Sequence, residues 1–274
     1  MIDSVVSFLA RSIFSYSCRI ASVAPIPIVK YLLEFGCWMF MKMSKVNAEK
    51  IGQNYWFGDQ THDTVILYAH GGGFVMGNAK QILVYKSFLH LLDNCSILSV
   101  EYSLNNPDTA LEDFMNAYRW LRNHTSVPNI IFGGDSAGAH IVLKATSRVV
   151  EKPRAVFCFS PWVNLLDFTG TTNTVDFVCE ANLTTVKSRI TMESNQQSLL
   201  LEDWTNIPPC MIVYGEYEFF SRQIKELIQH MKRNACDVRV FRGTGCGNVH
   251  VYPLFYRDKI VSKMLEDWVL QHSH

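Results

Sequence analysis

The sequence predicts an α/β protein with a mostly parallel central sheet covered by helices on both faces. Three observations predict it. Short apolar runs of strand length alternate with segments of helical spacing along most of the chain. A glycine-rich stretch, His70-Gly71-Gly72-Gly73-Phe74, follows directly on the apolar run Val65-Ile66-Leu67-Tyr68-Ala69. Further along, Gly134-Asp135-Ser136-Ala137-Gly138 lies between the apolar run Ile130-Ile131-Phe132 and the helix-like segment Ala139-His140-Ile141-Val142-Leu143. A chain of 274 residues is ordinary for one domain of this class, and no repeat, low-complexity tract or linker divides it.

Residues 1–43 carry no strand signal. Asp3 or Ser4 can cap a helix whose apolar face includes Val5, Leu9, Ile13 and Ile20; Pro25 and Pro27 end it. Ile28 to Met43 reads as a second apolar helix. Arg11, Arg19, Lys30 and Glu34 interrupt every stretch that approaches the roughly 18 uncharged apolar residues a bilayer span requires. No positive charge precedes the first apolar run, which argues against a secretory signal peptide. We read these helices as part of a lid over the active site; the alternative is a peripheral anchor at a membrane surface.

The strand at 65–69 opens the α/β pattern. Helical periodicity follows around Tyr85 to Leu92, then a strand at Ser96 to Val100 and a helix from Thr109 to Asn123 with Ala110, Phe114, Ala117, Tyr118 and Leu121 on one face. The strand entering Gly134 and the helix leaving Gly138 come next, then a strand at Ala155 to Phe159 ending in Ser160-Pro161-Trp162. Residues 163–206 have mixed polarity and no clear strand, and are read as an insertion above the sheet, a second cap element. Cys210 to Tyr214 and Val238 to Phe241 read as strands, and Ser221 to Asn234 and Lys259 to Gln271 as helices.

Composition excludes several function classes. Lys plus Arg and Asp plus Glu balance at 25 each, so nothing in the composition suggests a nucleic-acid footprint or a polybasic membrane anchor. Among its eight cysteines there is no Cys-x-x-Cys and no zinc-like spacing with histidine. Cys158 and Cys210 lie inside apolar runs, which favours buried reduced thiols over a disulfide framework. Sequons at Asn94, Asn123 and Asn182 are of a number expected by chance and do not establish secretion. An intracellular location is the default expectation.

The two glycine motifs carry the chemistry. A serine on a sharp strand-to-helix turn needs small neighbours two residues either side, which Gly134 and Gly138 supply, and the turn lifts its hydroxyl out of the sheet. The next backbone N–H then lies at a helix start, where it can stabilise an anion. Successive glycines at 71–73 let backbone N–H groups approach a substrate oxygen with no Cβ in the way. A flexible turn is the plain reading of either motif alone. Their joint occurrence, in this order, favours a hydrolase.

With these residues in view, the chain resembles the hormone-sensitive-lipase-like branch of the α/β-hydrolase superfamily. The matching pieces are His70-Gly71-Gly72-Gly73-Phe74 with Gly77, Tyr102-Ser103-Leu104 leading into Ala110-Leu111-Glu112-Asp113, and Tyr118-Arg119-Trp120-Leu121. Gly134-Asp135-Ser136-Ala137-Gly138 and Ser160-Pro161-Trp162 complete the series. The resemblance spans residues 64 to 265, is strong to 162 and weaker beyond, and implies an α/β-hydrolase fold with a small helical cap.

It also implies a triad in chain order nucleophile, acid, histidine. Ser136 matches the nucleophile, and His250, in Gly247-Asn248-Val249-His250-Val251-Tyr252, matches the family's late histidine. At the acid the chain departs from the pattern: where the family has Gly-x-x-Asp, it reads Gly215-Glu216-Tyr217-Glu218. Glu218 takes the acid position, with Glu216 as the alternative, and Arg222 stands where a further aspartate is common. Glutamate can orient and stabilise an imidazolium, since the role involves no proton uptake. Asp135 reads as elbow support.

The implied activity is carboxylic ester hydrolysis on small or lipid-like esters, with Gly72, Gly73 and Ala137 N–H groups holding the oxyanion and no metal or organic cofactor. An arylformamidase-type amide hydrolase, a membrane-associated lipid or steryl ester deacylase and a ligand-binding pseudoenzyme remain as alternatives.

Overall fold

The computed structural model describes residues 28, 31, 48–84, 90–170, 176, 178, 180–193, 197–244, 249–255 and 259–273. The helices expected within residues 1–43, with their lid or membrane role, therefore lie outside the described residues apart from Ile28 and Tyr31, both helical and exposed.

One eight-stranded sheet organises the described residues. Its strands are β1 (Ala48–Ile51), β2 (Asn54–Phe57), β3 (Thr64–Ala69), β4 (Ser96–Val100), β5 (Asn129–Asp135), β6 (Ala155–Phe159), β7 (Cys210–Gly215) and β8 (Val238–Gly243), in the spatial order β1-β2-β4-β3-β5-β6-β7-β8. β1 and β2 pair antiparallel and β2 joins β4 antiparallel; the pairings from β4 through β3, β5, β6 and β7 to β8 are parallel. The sheet is the mostly parallel one expected, with an antiparallel hairpin added at one edge. That hairpin went unread because its strands are four residues long and β1 carries Glu49 and Lys50, too short and too polar for a period-2 signal. Its two-residue loop begins with Gly52 at φ +61°, the sign that a type II′ turn requires at that position.

The helices whose bounds lie among the described residues are α1 (Pro107–His124), α2 (Ala137–Arg148), α3 (Glu180–Lys187), α4 (Ser221–Arg233), the short α5 (Tyr252–Phe255) and α6 (Lys259–Gln271). Asn106 caps α1 by accepting from the N–H groups of Asp108 and Thr109, with Pro107 at the first turn, where a missing N–H costs nothing. Of the helix expected around Tyr85 to Leu92, residues 85–89 lie outside the described set; the flanks are short 3-10 segments, Ala79–Val84 and His90–Asp93.

Period-2 alternation divides the sheet between two cores. Val65, Leu67 and Ala69 of β3, Val156 and Cys158 of β6, and Ile212 of β7 pack under α1, α2 and α4. Ile66 and Tyr68, Phe157 and Phe159, and Met211 and Val213 face the opposite side, against Val261, Leu265 and Trp268 of α6. Both faces are thus covered, which is why β3 through β7 are buried along their whole length and read as continuous apolar runs. Cys95, Cys158 and Cys210 are buried free thiols, with Cys236 partly buried. Among the described residues, no helix is long and apolar enough to cross a membrane. All the parallel strands end on the same edge of the sheet, and the loops leaving β3, β5, β6, β7 and β8 gather there.

Candidate active site

The site begins where β5 turns into α2. Ser136 sits between them with φ 54° and ψ −116°, a conformation that costs a non-glycine residue on the order of 1–3 kcal/mol. Its backbone is held from three sides: its N–H donates to the Phe159 carbonyl at 2.9 Å, and its carbonyl accepts from His140 N–H at 3.1 Å and Trp162 N–H at 3.2 Å. A Cβ on Gly138 would lie 2.1 Å from the Ala69 carbonyl oxygen, so only glycine lets α2 approach β3 this closely. Ala137 is the first residue of α2, which puts its N–H at the positive end of the helix.

Residues 71–74 leave β3 beside this turn. Gly72, Gly73 and Phe74 all have positive φ, and the Gly72 carbonyl accepts from Val75 and Met76 N–H groups, closing a tight turn. Asp135 ties that turn to the elbow. Its Oδ1 accepts from the Gly71 N–H at 2.9 Å and from the Tyr68 hydroxyl at 2.6 Å. The expectation of elbow support for Asp135 thus has a concrete form: the residue before Ser136 holds the loop that carries Gly72 and Gly73. Behind them lies the His70 ring, stacked on Tyr102 at 4.2 Å, with its Nδ1 2.7 Å from the Gly71 carbonyl. Burial pushes its pKa down to about 4, and that of the buried His140 to about 3, so both are neutral scaffold.

Glu218 and His250 arrive at the same edge from the loops after β7 and β8. His250 Nε2 is 2.7 Å from Ser136 Oγ, and His250 Nδ1 is 3.4 Å from Glu218 Oε1. The other carboxylate oxygen, Oε2, accepts from the Gly215 N–H at 2.8 Å and the Ser160 hydroxyl at 2.5 Å. Glu218, His250 and Ser136 thus form one buried series across three loops. Glu216 instead reaches Arg242, 3.2 Å away, and takes no part in it. Arg222 lies on the surface against Asp167 and Glu226.

The electrostatics follow from burial and sign. Burial opposes a charged His250, but the hydrogen bond to Glu218 and the negative charges of Glu218, Asp176 and Asp135 outweigh it and hold the imidazole above the usual histidine range. Burial raises the Glu218 carboxyl, an effect only partly offset by hydrogen bonds from His250, Ser160 and Gly215. A hydroxyl, a basic imidazole and a buried carboxylate in this order can move a proton from oxygen to nitrogen and stabilise the resulting cation.

Two residues of this arrangement carried no role in the sequence reading. Ser160 stands in a motif that marked the end of β6, yet nothing showed that its hydroxyl reaches Glu218. Asp176 lies in the polar segment after β6, and accepts from the backbone N–H groups of Phe219 and His250; no signal singled it out. That segment contributes α3, whose Val186 comes 3.5 Å from the place a Cβ would take on Gly73.

The fold and this site define a hydrolase-like α/β arrangement. A profile of the alpha/beta hydrolase fold matches residues 66–253, and the chain belongs to that family. Carboxylesterase/phospholipase LipF of Mycobacterium tuberculosis is 35% identical over 108 residues, 37% of this chain and 29% of that protein. An acetyl esterase of Salmonella schwarzengrund is 25% identical over 213 residues, 67% of this chain and 65% of that protein. The match therefore covers less than two thirds of either relative. An esterase from the bacterial hormone-sensitive lipase family shares the fold with TM-score 0.80 and 24% identity, over 97% of this chain and 98% of that one. An esterase of Pyrobaculum calidifontis does so with TM-score 0.73 and 19% identity, over 90% and 93%.

Proposed function

We propose that the protein is a serine carboxylic ester hydrolase acting on small or lipid-like esters through Ser136, His250 and Glu218. The observation that carries the reading is the 2.7 Å contact between His250 Nε2 and Ser136 Oγ, with the far side of the ring turned toward a buried carboxylate. The names of the relatives point the same way: a carboxylesterase/phospholipase and an acetyl esterase.

In this mechanism Ser136 Oγ attacks the ester carbonyl carbon as its proton passes to His250 Nε2. The carbonyl electron pair moves to oxygen, held by the N–H groups of Gly72, Gly73 and Ala137. The C–O bond to the alcohol breaks, and the leaving oxygen takes the proton from His250. Water then attacks the acyl-enzyme, gives its proton to the same nitrogen, and the acid leaves as Ser136 Oγ recovers a proton. Glu218 stays ionised and steadies the imidazolium. The segment 163–206 acts as a cap, Val186 of α3 forming a wall beside the oxyanion loop.

The test is hydrolysis of p-nitrophenyl esters of increasing acyl length by wild type and Ser136→Ala. Loss of the nucleophile lowers turnover on the order of a million-fold, and the best chain length measures the space under the cap. A folded wild type without turnover on any of these esters contradicts the reading and favours a ligand-binding role.

A further inference from the structure

The acid loop and the histidine loop are far apart in sequence, and two side chains join them. Ser160, at the end of β6, donates to Glu218 Oε2 and accepts from the Val251 N–H at 2.9 Å. Asp176 joins the neighbouring residues of the same loops: its Oδ2 accepts from the Phe219 N–H at 2.7 Å and its Oδ1 from the His250 N–H at 3.2 Å. Residues 218 and 219 are therefore paired with 251 and 250, one pair through each side chain. Ser160 belongs to the sheet edge. Asp176 belongs to the segment read as cap, 43 residues before Phe219 and 74 before His250.

We propose that Asp176 is a positioning residue for the reaction, one carboxylate from the cap segment bracing both the acid loop and the histidine loop and adding a negative charge beside the imidazole. The inference rests on the reading of Ser136, His250 and Glu218 given above. Two features make the brace consequential. The Nδ1–Oε1 separation is already 3.4 Å, the long end of a hydrogen bond, so a slight spreading of the two loops breaks it. A glutamate also carries one more rotatable bond than the family's aspartate, and its backbone needs firmer fixing to present the carboxylate at one distance. Asp176 fixes that backbone at Phe219, next to Glu218, and at His250 itself.

The charge has its own signature. Among the described residues, the charged groups acting on the imidazole include Glu218 from the loop after β7, Asp135 from the end of β5, and Asp176 from the cap segment, all acidic, with the neutral Ser136 hydroxyl at Nε2. Each negative charge favours the protonated ring, so removing one lowers the pH at which the ring becomes a free base.

The experiment is the pH profile of kcat/KM on one p-nitrophenyl ester for wild type, Asp176→Asn, Asp176→Glu and Ser136→Ala, with kcat and KM resolved at the optimum. Asp176→Asn keeps size and one acceptor but loses the charge. The expected result is a fall in kcat of roughly 10- to 100-fold with little change in KM, and an acid limb moved to lower pH by about half a unit to one unit. Asp176→Glu keeps the charge and leaves the limb at its wild-type pH, while its longer side chain still lowers kcat. Wild-type kcat and an unmoved limb in Asp176→Asn overturn the inference, as does a rate loss that follows thermal stability alone with the limb in place. Ser136→Ala separates the two levels: if it retains activity the underlying mechanism fails, and if it is inactive while Asp176→Asn is unaffected only the positioning role fails.

Discussion

The two halves of the site are built by different means. Ser136 and the loop at 71–74 are placed chiefly by backbone: a forced φ at Ser136, positive φ at Gly72 and Gly73, and an approach of α2 to β3 that leaves no room for a Cβ at Gly138, with the Asp135 carboxylate tying the loop to the elbow. Glu218 and His250 are placed largely by side chains: Ser160 and Asp176 hold their loops by hydrogen bonds across long stretches of sequence, with a local bond from the Gly215 N–H to Glu218 beside them. Backbone placement tolerates little change, because a clash with main chain is relieved only by moving main chain. Side-chain placement is graded, since each hydrogen bond can be removed singly while the fold persists.

The side-chain half is most sensitive at Glu218. Glu218→Gln keeps the shape but removes the charge that stabilises the imidazolium, and kcat falls on the order of 10⁴-fold in a protein that still folds. Losing that charge also lowers the pKa of His250, so any residual activity has its acid limb at lower pH. Circular dichroism with steady-state kinetics checks both points. A variant with near wild-type kcat contradicts the placement of the acid.

In the other half, Gly138→Ala sets a Cβ 2.1 Å from the Ala69 carbonyl oxygen. Overpacking against main chain costs about 3 kcal/mol or more, which for a domain of this size lowers Tm by roughly 6–12 °C. Calorimetry reads this directly. A stable Gly138→Ala variant would show that the backbone half is as adaptable as the other.

Ser160→Ala has the smallest expected effect. It strips one hydrogen bond from Glu218 Oε2 and leaves the Val251 N–H without its acceptor. The expected outcome is a fall in kcat of about 10- to 100-fold with KM near wild type and a modest loss of stability, about 1–3 kcal/mol. A change confined to KM would move Ser160 from the acid–histidine pair to substrate binding.

The same division explains what the sequence revealed. The elbow and the glycine loop were legible because backbone geometry selects residue types at fixed spacing, and Gly134-x-Ser136-x-Gly138 records that selection within five letters. The buried strands β3 to β7 were legible because both faces are covered and their runs are apolar throughout. Glu218 and His250 were singled out through family resemblance, since nothing local distinguishes a glutamate after Tyr217 from the one before it. Ser160 and Asp176 make hydrogen bonds to residues 58 and 74 positions away, Glu218 and His250, and such contacts leave no trace in periodicity or spacing. The β1–β2 hairpin was missed for another reason: a polar edge strand of four residues lacks enough alternation to register.

The most direct measurement is covalent trapping. Incubation of the wild-type protein with a fluorophosphonate, followed by intact-mass analysis and peptide mapping, reports whether the serine is activated and which serine it is. The expected result is a single adduct on Ser136, much slower labelling in Glu218→Gln, and none in Ser136→Ala. A folded wild-type protein that takes up no probe, or takes it up at another serine, would contradict the assignment of Ser136 as the nucleophile.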